Sequence, residues 1–117
     1  MKVFYTRWVK GGMAPLFCIL INPKYRDDAG LMAHERHHIA QQRRDGRARW
    51  LWRYLTSRDW RLRYEVEAYR VQIAFYGPGR PIDWAARYLA KDYGLGITTE
   101  QAREALSDPN SLHKETS

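Results

Sequence analysis

Three histidines and one glutamate lie within five consecutive positions of the stretch AHERHHIAQQRRDG, residues 33–46. His34, Glu35 and His38 spell H-E-x-x-H. Residues four apart point the same way on an α-helix, so His34 and His38 can bind one metal ion through their imidazole nitrogens. Glu35 lies about a quarter-turn away, where it can take a proton from an attacking water without being a ligand. Two imidazoles, a carboxylate and one exchangeable position favour zinc, Zn²⁺, and metal-assisted hydrolysis.

A catalytic zinc site needs a third protein ligand, for which the candidates are Glu65 and Glu67. The downstream segment carries an apolar stripe with helical spacing, formed by Leu62, Val66, Tyr69, Ile73 and Tyr76. With Leu62 as the reference, Glu65 lies about 60° and Glu67 about 140° around the helix, so only Glu65 can face the interior. A carboxylate there needs a partner, and an ion held by the two histidines would supply one. A salt bridge to Arg61 on the same helix is the alternative.

The strings HERHH and YEVEAYR together resemble the gluzincin branch of the zincin-like metallopeptidases, in which a helix with H-E-x-x-H is followed by a helix with E-x-x-A. The resemblance covers about residues 30–76. It implies a zinc peptidase acting on a peptide or protein substrate, with His34, His38 and Glu65 as metal ligands and Glu35 as general base and acid. The chain is also similar to small bacterial and phage-encoded zincin-like proteins in which H-E-x-x-H is followed by x-x-Q, which places Gln41 beside the motif.

Several neighbouring residues are candidates for supporting roles. Tyr69 stands where many gluzincins have Asp, so support for a histidine would have to come from the Tyr69 hydroxyl or from elsewhere. His37 is either a supporting residue or a surface residue. Gln41 lies one turn further along the face of His34 and His38, where it either hydrogen-bonds a ligand or packs between helices. The candidates by type for stabilising an oxyanion are Tyr54, Tyr69, Tyr76 and Arg70.

Periodicity and turn signals predict the elements that position these residues. Residues 2–9 and 15–22 are rich in β-branched, aromatic and aliphatic residues and flank a Gly-containing turn, which predicts a β-hairpin. Asp27 or Asp28 can cap the helix that follows. Helices are predicted at about 29–45, ending at Gly46, at 47–56, at 58–76, from Pro81 to near Gly94, and from Thr98 to about 107.

These elements predict an α+β, mostly α, fold: a short N-terminal β-hairpin followed by about five helices in a zincin-like minimal core. One domain is expected over residues 1–117, with the hairpin in 1–25, metal-binding helices in 29–76, C-terminal helices in 81–107 and a tail in 108–117. The family resemblance also implies an edge strand that pairs with extended substrate, and residues 15–22 could serve as that strand.

Composition places further bounds on the protein. Lys plus Arg number 20 against 13 Asp plus Glu, giving a net charge of +7. The single cysteine, Cys18, cannot form an internal disulfide, which favours a reducing compartment. Neither a secretory signal nor an apolar run long enough to span a membrane is apparent, so we expect a cytoplasmic protein or a component of a phage particle.

Four other interpretations stand beside a hydrolase. The Arg-rich region 43–63, interleaved with Trp50, Trp52 and Trp60, could bind an anionic partner, either nucleic acid or acidic protein. A structural or phage-assembly protein could use zinc to pin two helices together, or the histidines could be surface residues that bind no metal. Amphipathic association of residues 47–63 with a membrane is a further possibility. The oligomeric state does not follow from the sequence.

Overall fold

The computed structural model describes residues 2–15, 18–77 and 82–107. Over these ranges the fold is mostly helical α+β, as expected, with a small N-terminal three-stranded sheet followed by five α-helices. The strands are β1 (Lys2–Tyr5), β2 (Gly12–Met13) and β3 (Cys18–Ile21). The helices are α1 (Ala29–Asp45), α2 (Arg47–Thr56), α3 (Arg58–Tyr76), α4 (Asp83–Asp92) and α5 (Thr99–Ser107). The predicted start of the fourth helix at Pro81 and the predicted tail 108–117 lie outside the described residues.

The sheet differs from the predicted hairpin. Its strand order is β1-β3-β2, and β1 pairs with β3 in parallel, whereas β2 pairs with β3 antiparallel. The prediction of a hairpin between residues 2–9 and 15–22 is therefore wrong. The physical reason is the path of the chain after β1. Asn22 holds this segment beside β3 through its side-chain amide to the Val9 carbonyl (2.8 Å) and its backbone amide to the Gly11 carbonyl (2.6 Å).

This strand order also changes which strand has a free edge. Because β3 (Cys18–Ile21) lies between β1 and β2, it cannot be the edge strand that was expected along a cleft within residues 15–22. The free edges belong to β1 and to the two-residue strand β2. Of these, β2 contacts α1, the helix that carries the H-E-x-x-H residues.

Helix α1 is defined by a clear cap at its start. The Asp28 carboxylate accepts a hydrogen bond from the Leu31 backbone amide at 3.0 Å, which satisfies a donor that the first turn leaves free. The helix ends before Gly46, whose φ of 87° is readily adopted only by glycine. One side of α1 packs on the sheet through Ile39, which is buried with Ala14, Ile19 and Ile21.

Helix α3 packs against α1 on one side and against α4 and α5 on the other. The predicted apolar stripe of α3 faces this second side, where Val66 and Tyr69 are buried. The remaining buried residues there are alanines and leucines of α4, α5 and the segment between them, namely Ala85, Ala86, Leu89, Leu95, Ala102, Ala105 and Leu106. Helix α3 is thus held rigidly between two layers, which fixes the direction of its polar side chains towards α1.

Helix α2 connects the two long helices and contacts both. Its inner side is anchored by Trp50, which is 5% exposed and stacks on Tyr54 and Tyr64 with ring centroids 4.9 and 5.5 Å apart. None of the helices within the described ranges combines the length and the apolar character that crossing a membrane requires.

Candidate metal centre

Polar side chains from α1 and α3 meet in the space between these two helices. His34 and His38 on α1 and Glu65 on α3 are 2%, 4% and 2% exposed. The Nε2 atom of His34 lies 3.1 Å from Glu65 Oε1, and the Nε2 atom of His38 lies 3.2 Å from both Glu65 oxygens. The helical-wheel expectation that Glu65 faces the interior therefore agrees with the geometry.

The protonation of His38 follows from the hydrogen bonds of Gln41. The Gln41 amide nitrogen donates to the Tyr64 backbone carbonyl (2.9 Å), which can only accept. Its Oε1 atom accordingly accepts from the Trp50 indole N–H (3.2 Å) and faces His38 Nδ1 at 2.9 Å. His38 must therefore carry a proton on Nδ1, which leaves the lone pair of neutral His38 on Nε2, facing Glu65.

A parallel set of hydrogen bonds fixes His34. The Tyr76 hydroxyl donates to the Asp28 carboxylate at 2.7 Å, so its oxygen accepts from the Gln72 amide nitrogen at 3.0 Å. Gln72 Oε1 then faces His34 Nδ1 at 2.9 Å and accepts from it. Neutral His34 therefore also presents its Nε2 lone pair to Glu65. Asp28, which caps α1, is the last member of this chain, so the start of the helix and the orientation of His34 are coupled.

Two imidazole lone pairs and one carboxylate thus converge with no donor between them. Such a set of electron-rich atoms repels itself unless a cation, either a proton or a metal ion, lies among them. Fixing an imidazole through its other nitrogen is the usual way in which proteins orient a metal-binding histidine. The donor set therefore fits a metal ion.

The electrostatics of the centre agree with this reading. Burial lowers the pKa of His38, but the neighbouring Glu65 carboxylate outweighs burial and raises that pKa to about 9. Burial raises the pKa of Glu65, yet His38 and His34 outweigh it and hold that pKa well below its usual range. Both shifts favour a positively charged His38 paired with the Glu65 carboxylate when no metal ion is bound.

Tyr54 on α2 completes the surroundings of Glu65. Its hydroxyl donates to Glu65 Oε2 at 2.5 Å. Arg61, the predicted alternative partner of Glu65, instead donates to the backbone carbonyls of Tyr54 (2.6 Å) and Tyr93 (2.8 Å). The alternative of a salt bridge between Arg61 and Glu65 is therefore wrong, since the guanidinium is used to hold the ends of two other segments.

Glu35 borders the cleft next to the centre. It is 3% exposed, and among residues 2–15, 18–77 and 82–107 none hydrogen-bonds its carboxylate. Burial is the main cause of a raised pKa for Glu35, while His34 and His38 act against it. Glu35 and His34 line a cleft of about 930 Å³, whose lining includes neither His38 nor Glu65. Of the two carboxylates Glu35 and Glu65, Glu35 is therefore the one that a molecule in the cleft would meet.

The short strand β2 forms the wall of the cleft above Glu35. A Cβ atom added at Gly12 would lie 2.8 Å from Glu35 Oε2, so the glycine allows this close approach of strand and carboxylate. The rest of the lining is rich in aromatic side chains, which are Trp8, Tyr25, Tyr69, Tyr76, Trp84, Tyr88 and Tyr93. Trp8 is 94% exposed at the rim.

The other residues singled out in the sequence lie at varying distances from the centre. Gln41 hydrogen-bonds His38, as described above. Tyr69 packs its ring edge on His34 at 4.4 Å, while its hydroxyl pairs with the Tyr93 hydroxyl at 2.7 Å rather than with a histidine. His37 pairs with Glu67 on a partly exposed surface (3.0 Å) and does not join the centre.

Two of the residues whose type made them candidates for stabilising an oxyanion, Arg70 and Tyr76, have other roles in the structure. The Arg70 guanidinium donates to the Leu106 backbone carbonyl and lies outside the cleft, beside the groove that contains Glu67. Tyr76 lines the cleft, but its hydroxyl is used in the hydrogen bonds to Asp28.

Gln72 and Tyr93 belong to the centre without any motif signal. Gln72 follows Glu65 by seven residues, two helical turns, and therefore lies on the same side of α3. That spacing could have identified it as a neighbour of the histidines. Tyr93 follows α4 and reaches the cleft only through tertiary packing, so no local pattern could have found it.

Replacing Gln72 with leucine tests the support of His34. Gln72→Leu leaves the His34 Nδ1–H without an acceptor, so we expect zinc affinity to fall by about 10- to 100-fold, as is typical of outer-shell partners. Competition titration against a chromophoric chelator measures this. Gln42→Leu is the matched control, because Gln42 is equally buried but donates to the Ala14 carbonyl instead of contacting a histidine. Equal affinities in the two variants would contradict the role of Gln72.

Replacing Gly30 with alanine tests the packing that holds Tyr76 in place. A Cβ atom at Gly30 would lie 2.6 Å from the Tyr76 ring, so Gly30→Ala should displace the ring from Asp28 and Gln72. We expect the free energy of unfolding to fall by about 1–3 kcal/mol, as for other overpacked sites, despite the better helix propensity of alanine. Urea unfolding measures this. At Gly11 a Cβ would meet nothing closer than 4.0 Å, so Gly11→Ala is the control. A Gly30→Ala protein as stable as the parent would refute this packing argument.

The buried group of His34, Glu35 and His38 could hold a metal ion, since each residue offers a ligand atom within 4.8 Å of the others. Glu65 faces the same point from α3 through the distances given above. A scan against protein families, and searches of curated proteins and of solved structures, found no match for this chain.

Proposed function

We propose that the protein is a zinc-dependent hydrolase, and specifically a metallopeptidase of the zincin-like, gluzincin type. The observation that carries this proposal is the pair of imidazoles whose Nδ1–H groups are fixed by glutamines and whose Nε2 lone pairs meet a buried carboxylate. A second buried carboxylate, Glu35, stands beside them at the wall of an open cleft. This is the donor set and the accessible position that a catalytic zinc site needs.

In this proposal His34, His38 and Glu65 are the zinc ligands and Glu35 is not. Glu65 faces both Nε2 atoms and has no place in the lining of the cleft, whereas Glu35 faces the cleft. The Tyr54 hydroxyl on Glu65 Oε2 leaves Oε1 for the ion and orients the carboxylate. Zinc is the metal preferred by two imidazoles with one carboxylate.

A bound zinc ion supplies Lewis-acid polarisation and makes water acidic enough to react near neutral pH. Glu35 then acts as general base and acid, taking a proton from the attacking water and returning it to the leaving amine. The raised pKa of Glu35, caused by burial, suits a group that must hold a proton between these two events. The close approach of Gly12 restricts the positions that the Glu35 carboxylate can adopt.

Two hydroxyls in the cleft support stabilisation of the developing oxyanion. The Tyr69 and Tyr93 hydroxyls lie 2.7 Å apart, and both residues line the cleft with His34 and Glu35. Burial raises the pKa of both tyrosines, and Glu65 raises it further, so both remain donors at neutral pH. Tyr93, which lines the cleft with His34 and Glu35, is our choice for the group that donates to the substrate carbonyl.

The peptide substrate comes from the family resemblance, and the shape of the cleft is compatible with it. The free edge of β2 borders the cleft, where an extended chain could add as a further strand. Aromatic walls favour a substrate with apolar side chains.

The experiment is hydrolysis of unfolded casein by the purified chain. The proposal predicts cleavage that stops when a chelator removes zinc and returns when zinc is added back. Cleavage that persists in the chelator after zinc has been shown to be absent would reject a zinc hydrolase. A zinc-loaded protein that cleaves neither casein nor a library of unstructured peptides would reject the peptidase.

A further inference from the structure

Helix α2 presents an apolar face to solvent as well as to the core. Ala48, Leu51, Trp52 and Leu55 are all exposed, with Leu51 at 36%, Trp52 at 71% and Leu55 at 66%. On a helical wheel these four residues fall within an arc of about 100° that lies opposite Trp50. We call them the α2 outer face. Because Trp50 is stacked in the interior, this face cannot rotate inwards.

Arginines stand on both sides of the α2 outer face. Arg47 lies about 40° beyond Leu51 on the wheel, and Arg49 lies about 60° beyond Trp52. Both arginines are exposed, and so are Arg43 before the helix and Arg58 after it. An apolar arc with cationic flanks is the pattern of a helix that lies in the interface of a membrane, with tryptophan at the depth of the headgroups. The net charge of +7 adds attraction to any anionic surface.

Other occupants fit this face less well. A second copy of the chain would bring its own Arg47 and Arg49 against the same cationic flanks. Nucleic acid would use stacking, but Leu51 and Leu55, two of the four residues of the face, offer none. Trp50 is buried, and Trp60 is already covered by Arg53 at 3.7 Å and Arg63 at 4.9 Å.

The α2 outer face is too small to form a stable protein–protein interface by itself. The exposed parts of the four side chains amount to on the order of 400 Å². That is about half of the roughly 800 Å² that each partner buries in a stable protein–protein interface. Binding to a bilayer does not require an area of that size, because the insertion of a few apolar side chains and the attraction of arginines to anionic headgroups both contribute to affinity.

We propose that the α2 outer face docks the protein on an anionic lipid surface. This proposal does not depend on the hydrolase. None of the residues of α2 lines the cleft at Glu35, so docking through α2 leaves that cleft free. The inner side of the same helix carries Tyr54, which hydrogen-bonds Glu65, so the docked helix and the metal centre are directly connected.

Sedimentation of the full-length chain with lipid vesicles tests the proposal. The protein should bind vesicles made of equal parts phosphatidylcholine and phosphatidylglycerol, bind poorly to phosphatidylcholine alone, and be released by high salt. Trp52→Gln combined with Leu55→Gln should weaken binding more than about tenfold. Arg49→Gln should weaken it roughly fivefold. All three side chains are exposed, and unchanged thermal unfolding verifies that the variants fold.

The matched controls change similar side chains elsewhere. Phe75→Gln removes an aromatic side chain that is 60% exposed on α3, and Arg87→Gln removes an exposed arginine on α4. Both should bind anionic vesicles like the parent. Equal binding by the parent and the Trp52, Leu55 double variant would overturn the proposal. So would a single-stranded oligonucleotide that binds more tightly than the vesicles in a Trp52-dependent manner, because it would assign the face to nucleic acid.

Discussion

Glu35→Gln is expected to retain a full complement of zinc and to lose hydrolysis by about 10³-fold, the range in which general acid–base catalysis contributes. The amide has the size of the carboxylate and keeps the contact with Gly12, but it cannot accept the proton of the attacking water. Glu35 is also not one of the zinc ligands that we propose, so its replacement should leave the metal in place. Zinc content by atomic emission and casein cleavage by the same preparation provide the two readouts.

This pair of readouts separates the three metal interpretations. A structural zinc site would tolerate Glu35→Gln with both zinc and function intact. If Glu35 were itself the third ligand, zinc affinity would fall together with activity, a possibility that the close grouping of His34, Glu35 and His38 raises. Only a hydrolase with Glu35 as base predicts retained zinc with lost turnover.

Glu65→Gln is expected to lower zinc affinity by more than about a hundredfold. Loss of an outer-shell partner alone typically costs 10- to 100-fold, and Glu65 is proposed to supply a charged ligand atom directly. Two imidazoles alone leave an ion in this buried space without the anionic partner that offsets its desolvation. Competition titration with a chromophoric chelator measures the affinity, and circular dichroism establishes that the helices persist.

Glu67→Gln is the matched control for this variant. Glu67 lies two residues further along the same helix, pairs with His37 at 3.0 Å and with Arg44 at 3.2 Å, and is 40% exposed at its side chain. The hydrogen bond from His37 is the main cause that lowers the pKa of Glu67, to about 2, so this carboxylate is charged like Glu65. Zinc affinity should be unchanged in Glu67→Gln. An equal loss in both variants would mean that general charge, rather than ligation, attracts the metal.

The helical part of the fold was accessible from the sequence because its signals are local. Asp28, Gly46 and Gly77 mark helix ends through capping and backbone geometry, and the stripe from Leu62 to Tyr76 identifies the face of α3 that packs on α4 and α5. The inward direction of Glu65 followed from its angle to that stripe. These inferences needed no knowledge of distant contacts.

The direction of strand pairing in the sheet could not be predicted from local signals in the same way. Whether residues 2–5 pair with 18–21 in parallel or antiparallel depends on the path of the intervening loop. Asn22, directly after β3, holds that loop through hydrogen bonds to the Val9 and Gly11 carbonyls. A Gly-containing turn between two apolar segments is also compatible with both paths. The hydrogen bonds from Gln41 and Gln72 to the histidines were difficult to predict for a related reason. A neutral amide in a helix has many possible partners, and only the packing of α1 on α3 selects among them.

Anomalous diffraction at the zinc edge, from crystals of the full chain grown with zinc, is the most direct test of the metal centre. We expect one strong peak in contact with His34 Nε2, His38 Nε2 and a Glu65 oxygen, with Glu35 beside it on the side of the cleft. A peak only at the surface pair of His37 and Glu67, or no peak between α1 and α3 in zinc-saturated crystals, would rule out this metal centre.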